Sequence, residues 1–452
     1  MRHAGWLTCL VTLAALVGLN GVALADPPTT ATVRLDHAAV ALNGPWRFST
    51  GDDLRWASPD FDDSHWETVD LTPSPGAHDS DVGLPGYVSG WSLRGHPGYI
   101  GYAWYRLRVT VESGGNTPLA LAGPTDVDTT YQLYVDGKLL GGSGIFAGKT
   151  PTVYSVQPTA FALPGSSATT RSYLIALRVW MDPVDAGDDS GGIHIAPTLG
   201  TKDDIDLLHQ AQWLQTFKGY VVDAIEPAAF VLLAILVCGL AACRTDDAYR
   251  WLITALLLTA WLRANQVIFF WTHAESLRTY DIVTAVLLVP LALAAWVLAW
   301  RDWFGCKPSW LPRVLLILTL IYMMAALIDR PWFYPDASPV FKAIGHFLVS
   351  GIRLIFVALY LWIIGYGVMR QPRWPAWLAL VVACLIGIGL FAAELTRMGV
   401  PGIWFPYGTG VSRTQYAYAG FIVLLFALLL LRLVDSSRAR QRVGLDINPN
   451  GS

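Results

Sequence analysis

Seven apolar stretches in the second half of the chain limit its possible folds more than any other feature. They lie at 221–243, 251–271, 282–300, 311–328, 347–368, 376–393 and 416–434. As a helix, each is long enough to cross a hydrocarbon layer of about 30 Å. A backbone in lipid has no water to bond to, so such stretches predict a bundle of seven transmembrane helices at residues 220–434. The composition agrees, with 54% hydrophobic and only 14% charged residues, a balance suited to a chain partly solvated by lipid.

The charges divide the chain in two. Residues 26–206 hold 22 Asp and Glu against 11 Lys and Arg, and residues 207–452 hold 12 against 19. An acidic part followed by a basic one is not the uniform positive field of a nucleic-acid binder, so no nucleic-acid partner is expected. At the N-terminus, Arg2 and His3 precede an apolar run that ends in Ala23-Leu24-Ala25. This pattern predicts a secretory signal peptide over residues 1–25; an uncleaved anchor is the alternative, and either one exports the domain that begins at Asp26. With that side outside, seven crossings leave eleven Lys and Arg in the inner loops and tail, and five in the outer loops. The bias obeys the positive-inside rule. Trp251, Trp271, Trp300, Trp303, Trp332 and Trp374 stand near segment ends, where indole rings are expected among headgroups.

Residues 26–201 read as an extracytoplasmic β-sandwich. Runs at 103–111, 131–135 and 173–180 alternate apolar and polar side chains, the period of a strand with one core face and one solvent face. Asp136-Gly137 between two such runs predicts a hairpin turn, because both residues tolerate positive φ. None of the five cysteines falls in this domain. Its hydrophobic core alone must therefore hold it.

Three stretches of this domain, in order, resemble the sugar-binding jelly-roll domain that opens β-galactosidases and β-glucuronidases. They are Leu42-Asn43-Gly44-Pro45-Trp46-Arg47-Phe48 with Phe61-Asp62-Asp63-Ser64-His65-Trp66, then Gly101-Tyr102-Ala103-Trp104-Tyr105-Arg106, then Tyr131-Gln132-Leu133-Tyr134-Val135-Asp136-Gly137-Lys138. The resemblance implies an all-β jelly-roll, galactose-binding-like fold in which these residues build the sandwich. In that family the hydrolytic carboxylates sit on a separate barrel, which the apolar bundle replaces here. The expectation is a domain that binds and does not cut, and an enzyme is not expected.

The long loop after Pro73 carries Tyr87, Trp91, His96 and Tyr99. These are the candidate ligand-binding residues, because sugars stack on exposed rings and long loops in compact domains are often functional; packing of the same rings on the sandwich edge is the alternative. Asp182, Asp185, Asp188 and Asp189 precede Gly191-Gly192. They are read as a solvated turn in preference to a calcium site, and no metal is expected. Gly141-Gly142-Ser143-Gly144 precedes no helix and is read as a turn, not a phosphate cradle.

Residues 202–219 place Ile205, Leu208, Ala211, Leu214 and Phe217 at near-helical spacing, which predicts an amphipathic juxtamembrane helix. It either relays motion or lies along the bilayer surface. Within the apolar stretches, Glu226, Arg263, Asp281, Arg353 and Glu394 are costly in lipid and are expected to face partners or a cavity. The alternative leaves Glu226, Asp281 and Glu394 at headgroup level.

The order of parts resembles bacterial seven-transmembrane receptors with diverse intracellular signalling modules. That resemblance implies a receptor in the bacterial inner or cell membrane. Its partners would be an extracellular small molecule or glycan, the lipid bilayer and a cytoplasmic signalling partner. In such receptors the last helix continues into an output domain; here residues 435–452 are expected to be a short cytoplasmic tail that relies on a separate or missing output module. A transporter or channel subunit with an extracellular cap and a cell-envelope scaffold are the alternatives. No paired-histidine, Cys-x-x-Cys, nucleophile-elbow or Walker motif occurs, and no cofactor is expected.

Overall fold

The computed structural model describes residues 30–35, 39–78, 85–112, 117–165, 168–185, 187, 189–242, 248–330, 332–334, 337–370, 374–400, 403 and 412–446. The signal-peptide expectation and the end of the tail lie outside these residues.

Among the described residues thirteen strands precede the long helices. They are β1 (Thr30–Arg34), β2 (Val40–Ala41), β3 (Trp46–Thr50), β4 (Glu67–Val69), β5 (Gly101–Glu112), β6 (Leu119–Ala122) and β7 (Asp126–Val127). Next come β8 (Thr130–Val135), β9 (Lys138–Gly142), β10 (Ala160–Ala162), β11 (Thr170–Met181), β12 (Ile193–Ile195) and β13 (Thr198–Thr201). One sheet runs β4-β3-β5-β11-β8-β9 and a second runs β10-β6-β13-β2, with β12-β7 a small pair beside them. Strand β5 is long enough to hold β3 antiparallel along its first half and β1 parallel along its second, on one edge. Phe48, Leu107, Ile175 and Leu177 of the first sheet share a core with Leu121 and Leu199 of the second.

The Asp136-Gly137 turn closes β8 on β9 with φ of 48° and 80°, both positive as a type I′ hairpin requires. The simple alternation expected of β5 holds only toward its end. Over 102–107 every residue is buried, because Trp56, Phe61 and Trp66 fold over the second face onto Trp104 and Tyr134. Arg106 lies beneath that lid. Its guanidinium donates to the carbonyls of Trp56 (2.6 Å) and Ser58 (3.1 Å) and pairs with Asp63. Gly141 and Gly142, read as part of a turn, instead end strand β9; a Cβ on Gly142 would stand 2.2 Å from the Tyr131 carbonyl.

The helices follow without a linker. Helix α1 spans Lys202–Ala242. Thr201 starts it by accepting from the Asp204 amide (3.2 Å) while its hydroxyl donates to the Asp204 carboxylate (2.7 Å), a variant of the reciprocal capping box. The separate juxtamembrane helix expected at 202–219 is thus the opening of one continuous helix. Beyond it lie α2 (Ala248–Trp271), α3 (Leu277–Trp303), α4 (Leu311–Ile328), α5 (Pro339–Arg370), α6 (Trp374–Leu390), α7 (Ala392–Arg397) and α8 (Arg413–Asp446). The last helix continues through much of the expected tail.

Among the described residues, six helical segments are long and apolar enough to cross a membrane: Val221–Ala242, Tyr249–Trp271, Leu277–Trp303, Leu311–Ile328, Val340–Arg370 and Arg413–Val434. They fit a multi-pass membrane protein. Trp374–Leu390 is a shorter apolar helix. Their shared core contains Phe230, Trp296, Trp300, Phe356, Tyr360 and Phe421. Trp300 and Trp303, expected at an interface, are 1% and 9% exposed. They belong inside because the Trp300 indole donates to the Tyr360 hydroxyl (3.1 Å) and Trp303 receives Arg432 over its ring.

Candidate functional site

Two polar assemblies stand out: one inside the helices, the other where they meet the β domain. The first begins at Asp223 and Glu226, three residues apart on one face of α1. Arg263 of α2 reaches both, with Nε 2.7 Å from Glu226 Oε2 and Nη2 bonded to Asp223 Oδ1. Gln415 of α8 donates to the same Asp223 oxygen at 2.8 Å, and the guanidinium carbon stands 5.3 Å from the Tyr418 ring centre. Arg263 is 6% exposed, Glu226 4%, and Asp223 and Gln415 1% each. Charges this buried persist only when paired and hydrogen-bonded. One guanidinium faces two carboxylates, and Glu226 Oε1 has no hydrogen-bond partner among the described residues.

A second ion pair lies nearby. Arg353 of α5 donates through Nη2 to Glu394 Oε2 of α7 (2.6 Å) and through Nη1 to the Tyr322 hydroxyl (3.1 Å). Arg263 and Arg353 both line a cavity of about 130 Å³, together with Gln266, Tyr280, Thr284 and Tyr418. Beside it α3 widens to π-helical geometry over Ile282–Leu288. Pro290, two residues beyond, lacks the N–H that would continue the α ladder, and such widened turns recur at functional sites. Thr284 in this turn accepts from Asn265 at 3.1 Å.

The five charged residues anticipated within the apolar stretches thus separate into groups. Arg263 with Glu226, and Arg353 with Glu394, are brought to one cavity region. Asp281 stands apart: it pairs with Arg330 and accepts from the Trp332 indole at 3.3 Å. Asp223 and Gln415 escaped the sequence reading. The i, i+3 spacing of two carboxylates in one apolar stretch was a usable signal for Asp223; Gln415 had none.

The second assembly fastens the β domain to the helices. Arg278, at the start of α3, bonds to Asp182 at the end of β11 (2.9 Å), and its guanidinium lies 5.6 Å from the Trp332 ring centre. Trp332 in turn reaches Asp281, so a continuous polar chain runs from the β domain into α3 and past the end of α4. The Leu277 amide donates to the Val153 carbonyl (2.9 Å). Gln157 Nε2 bonds the carbonyls of Phe270 and Trp271, each at 3.3 Å. Around these bonds Tyr102, Val153 and Trp180 pack on Phe269 and Leu277. On α1, Ile205 is sealed against Ala120 and Ala122.

The four ring residues proposed for ligand stacking occupy different surroundings. Trp91 is 2% exposed and packs on Phe48, its indole donating to the Tyr99 carbonyl (3.1 Å), so neither face is open to a sugar. The half-buried Tyr99 hydroxyl donates to the Tyr102 carbonyl (2.7 Å) and accepts from the Gly51 amide (3.1 Å); burial pushes this phenol's pKa up. His96 contacts Glu67 at 3.0 Å and lies 5.3 Å from the Phe48 ring. Tyr87 stacks on His194 with ring centres 4.6 Å apart.

His194 is buried between two acceptors, the Val88 carbonyl at 2.8 Å and Asp128 at 3.1 Å. Burial lowers its pKa, but the Asp128 hydrogen bond and charge, with Asp126 and the Val88 carbonyl, outweigh burial and raise it to about 9. Of the Asp182 to Asp189 run, Asp182 binds Arg278 and the Val184 amide, and Asp189 accepts from the Gly90 amide; Asp188 and the Asp185 side chain lie outside the described residues. Among the described residues no cluster of three His, Cys, Asp or Glu could hold a metal ion.

No protein-family model and no curated protein matches this chain. Among solved structures, it is similar to a Bacteroides uniformis β-glucuronidase (21% identity, TM-score 0.26) and to a calcium-binding mutant of Bacteroides uniformis β-glucuronidase 2 (20%, 0.25). Each match covers 36% of this chain and 17% of the other. A Bacteroides vulgatus β-glycosidase matches at 20% identity and TM-score 0.23, over 36% of this chain and 20% of that one. The chain therefore spans a fifth or less of these enzymes' length.

Proposed function

We propose that this chain is a non-catalytic receptor of a bacterial cell membrane. Its β domain, a galactose-binding-like jelly roll, faces outward and takes up an extracellular small molecule or glycan. Seven helices, with Trp374–Leu390 as the short sixth crossing, carry the event inward to a cytoplasmic signalling partner reached through the end of α8. The positive-inside bias of the loops supports this orientation.

The observation that carries the reading is the fastening of the β domain. It is held at the opening of α1 and again at the α2–α3 connection through Asp182, Arg278, Gln157 and an apolar patch. A cap on a loose linker would move without consequence. One held at two points along the bundle transfers any rearrangement to α1, α2 and α3, which is the physical content of coupling between sites.

Topology decides the first part of the proposal. A reporter that is active only in the cytoplasm, fused after Asp446 in the full chain, is expected to be active, with β-domain sites open to external protease. Reporter activity outside would leave an even number of crossings and sink the proposal. The cavity beside Arg263 and Arg353 favours a second reading, a transporter subunit with an outer cap. Solute flux in proteoliposomes that is lost with Arg263→Gln or Arg353→Gln would establish it instead.

A further inference from the structure

The β domain and the α2–α3 connection flank an open cleft of about 330 Å³. Ser143 and Ile145 line it from the segment after β9, Tyr154 and Gln157 from the segment before β10, and His273 from the α2–α3 connection. We propose that this cleft is the ligand site of the receptor and that it takes an uncharged, hydroxyl-rich small molecule of about one or two sugar rings. The inference rests on the receptor reading and deepens it by naming a place and a chemistry.

Four features carry it. The volume falls within the range of small-molecule sites. Among the described residues no Asp, Glu, Lys or Arg lines the cleft, so no carboxylate, ammonium or guanidinium is there to pair with a charged ligand. Its polar groups are also uncommitted: among the described residues, Ser143 Oγ, the Tyr154 hydroxyl and both His273 ring nitrogens make no hydrogen bond. A hydroxyl both donates and accepts, which matches this mixed set. The Tyr154 and His273 rings, 5.4 Å apart and inclined at 63°, add apolar surface of the kind that packs on the C–H face of a sugar.

Position gives the site its consequence. Gln157 on the cleft wall also bonds the Phe270 and Trp271 carbonyls at the end of α2. A ligand that touches Tyr154 and His273 together bridges the β domain to the helix connection. It favours whichever arrangement holds both walls at its own spacing, which is how differential contact shifts a two-state equilibrium.

The test uses the full chain in phosphatidylcholine nanodiscs, titrated with methyl β-glucoside, methyl β-galactoside and methyl β-glucuronide while thermal unfolding is followed. A neutral glycoside is expected to raise the midpoint, with the anionic glucuronide binding more weakly. Tyr154→Phe and His273→Ala are each expected to weaken binding about tenfold or more. Tyr154→Phe keeps the ring and therefore the fold. A parallel arm replaces the free glycoside with a monoglucosyl diacylglycerol in the nanodisc; stabilisation there alone identifies a lipid headgroup as the source and upholds the site. Binding that ignores both substitutions, tighter binding of the glucuronide, or no stabilisation in any arm overturns the inference. The topology reporter judges the receptor reading separately.

Discussion

The β domain and the helical region bury their arginines for opposite reasons. In the β domain, Arg106 sits under an aromatic lid among backbone carbonyls and one carboxylate. It is a strut in a fold whose apolar residues point inward. In the helical region the arrangement turns inside out. Leu232, Leu316, Leu361 and Val423 face outward, where lipid is the solvent, and Arg263 is enclosed with two carboxylates and a glutamine. The comparison teaches that burial alone does not mark a functional charge. What distinguishes Arg263 is that its surroundings over-supply negative charge beside a cavity, whereas Arg106 shares its single carboxylate, Asp63, with Arg108.

The largest expected effect tests that distinction. Arg263→Ala strands Asp223 and Glu226 in the bundle, and breaking such a pair costs about 3–5 kcal/mol. Thermal unfolding in detergent should show a large loss, partly recovered when Glu226→Gln is added. An unchanged midpoint would mean the assembly contributes nothing to the fold.

Trp104→Ala removes the ring beneath the β-domain lid, with about 3–5 kcal/mol expected from the lost contacts and the cavity left behind. Because the two parts are fastened together, calorimetry should register the loss as a shift of the whole transition. A split into two transitions would show that the halves melt independently.

His194 supplies a pH test confined to the β domain. Its folded pKa of about 9 lies above the ordinary value near 6.5. The added stability is therefore fully present below about pH 6.5 and is lost as pH rises through about 9, amounting to about 3 kcal/mol at most. His194→Gln should flatten the denaturant midpoint over that interval; a wild-type midpoint that does not fall between pH 7 and 9 would refute the charged histidine.

The smallest expected effect lies at the junction. The Arg278 side chain is 34% exposed while that of Asp182 is 1%, so solvent screens the pair from one side. A double-mutant cycle with Arg278→Ala and Asp182→Asn should give about 1 kcal/mol of coupling. A value of zero would weaken the fastening on which the receptor proposal depends.

Much of the architecture was legible because it rests on local chemistry. The apolar stretches, the Asp136-Gly137 turn and the strand runs each depend on a few neighbouring residues, and each appears near its expected place. The juxtamembrane segment was not separable: Gly219 is a local signal for a helix end, yet the helix runs through it from Lys202 to Ala242. The loop aromatics were ambiguous in the sequence: a ring on a Gly- and Pro-rich loop can stack on a ligand or fill the core, and only the position of Phe48 shows that Trp91 does the latter.

The chain's composition and periodicity determined by themselves that a β domain precedes lipid-length helices, since the solvent preference of each segment is written in its own side chains. Which charges meet was decided only by tertiary structure. Asp223, Arg263 and Gln415 are far apart in sequence and converge because three helices pack there. Asp182 finds Arg278 only because the β domain comes to rest on the α2–α3 connection. Pairing energy depends on distance and burial, and neither exists until the helices and sheets have packed.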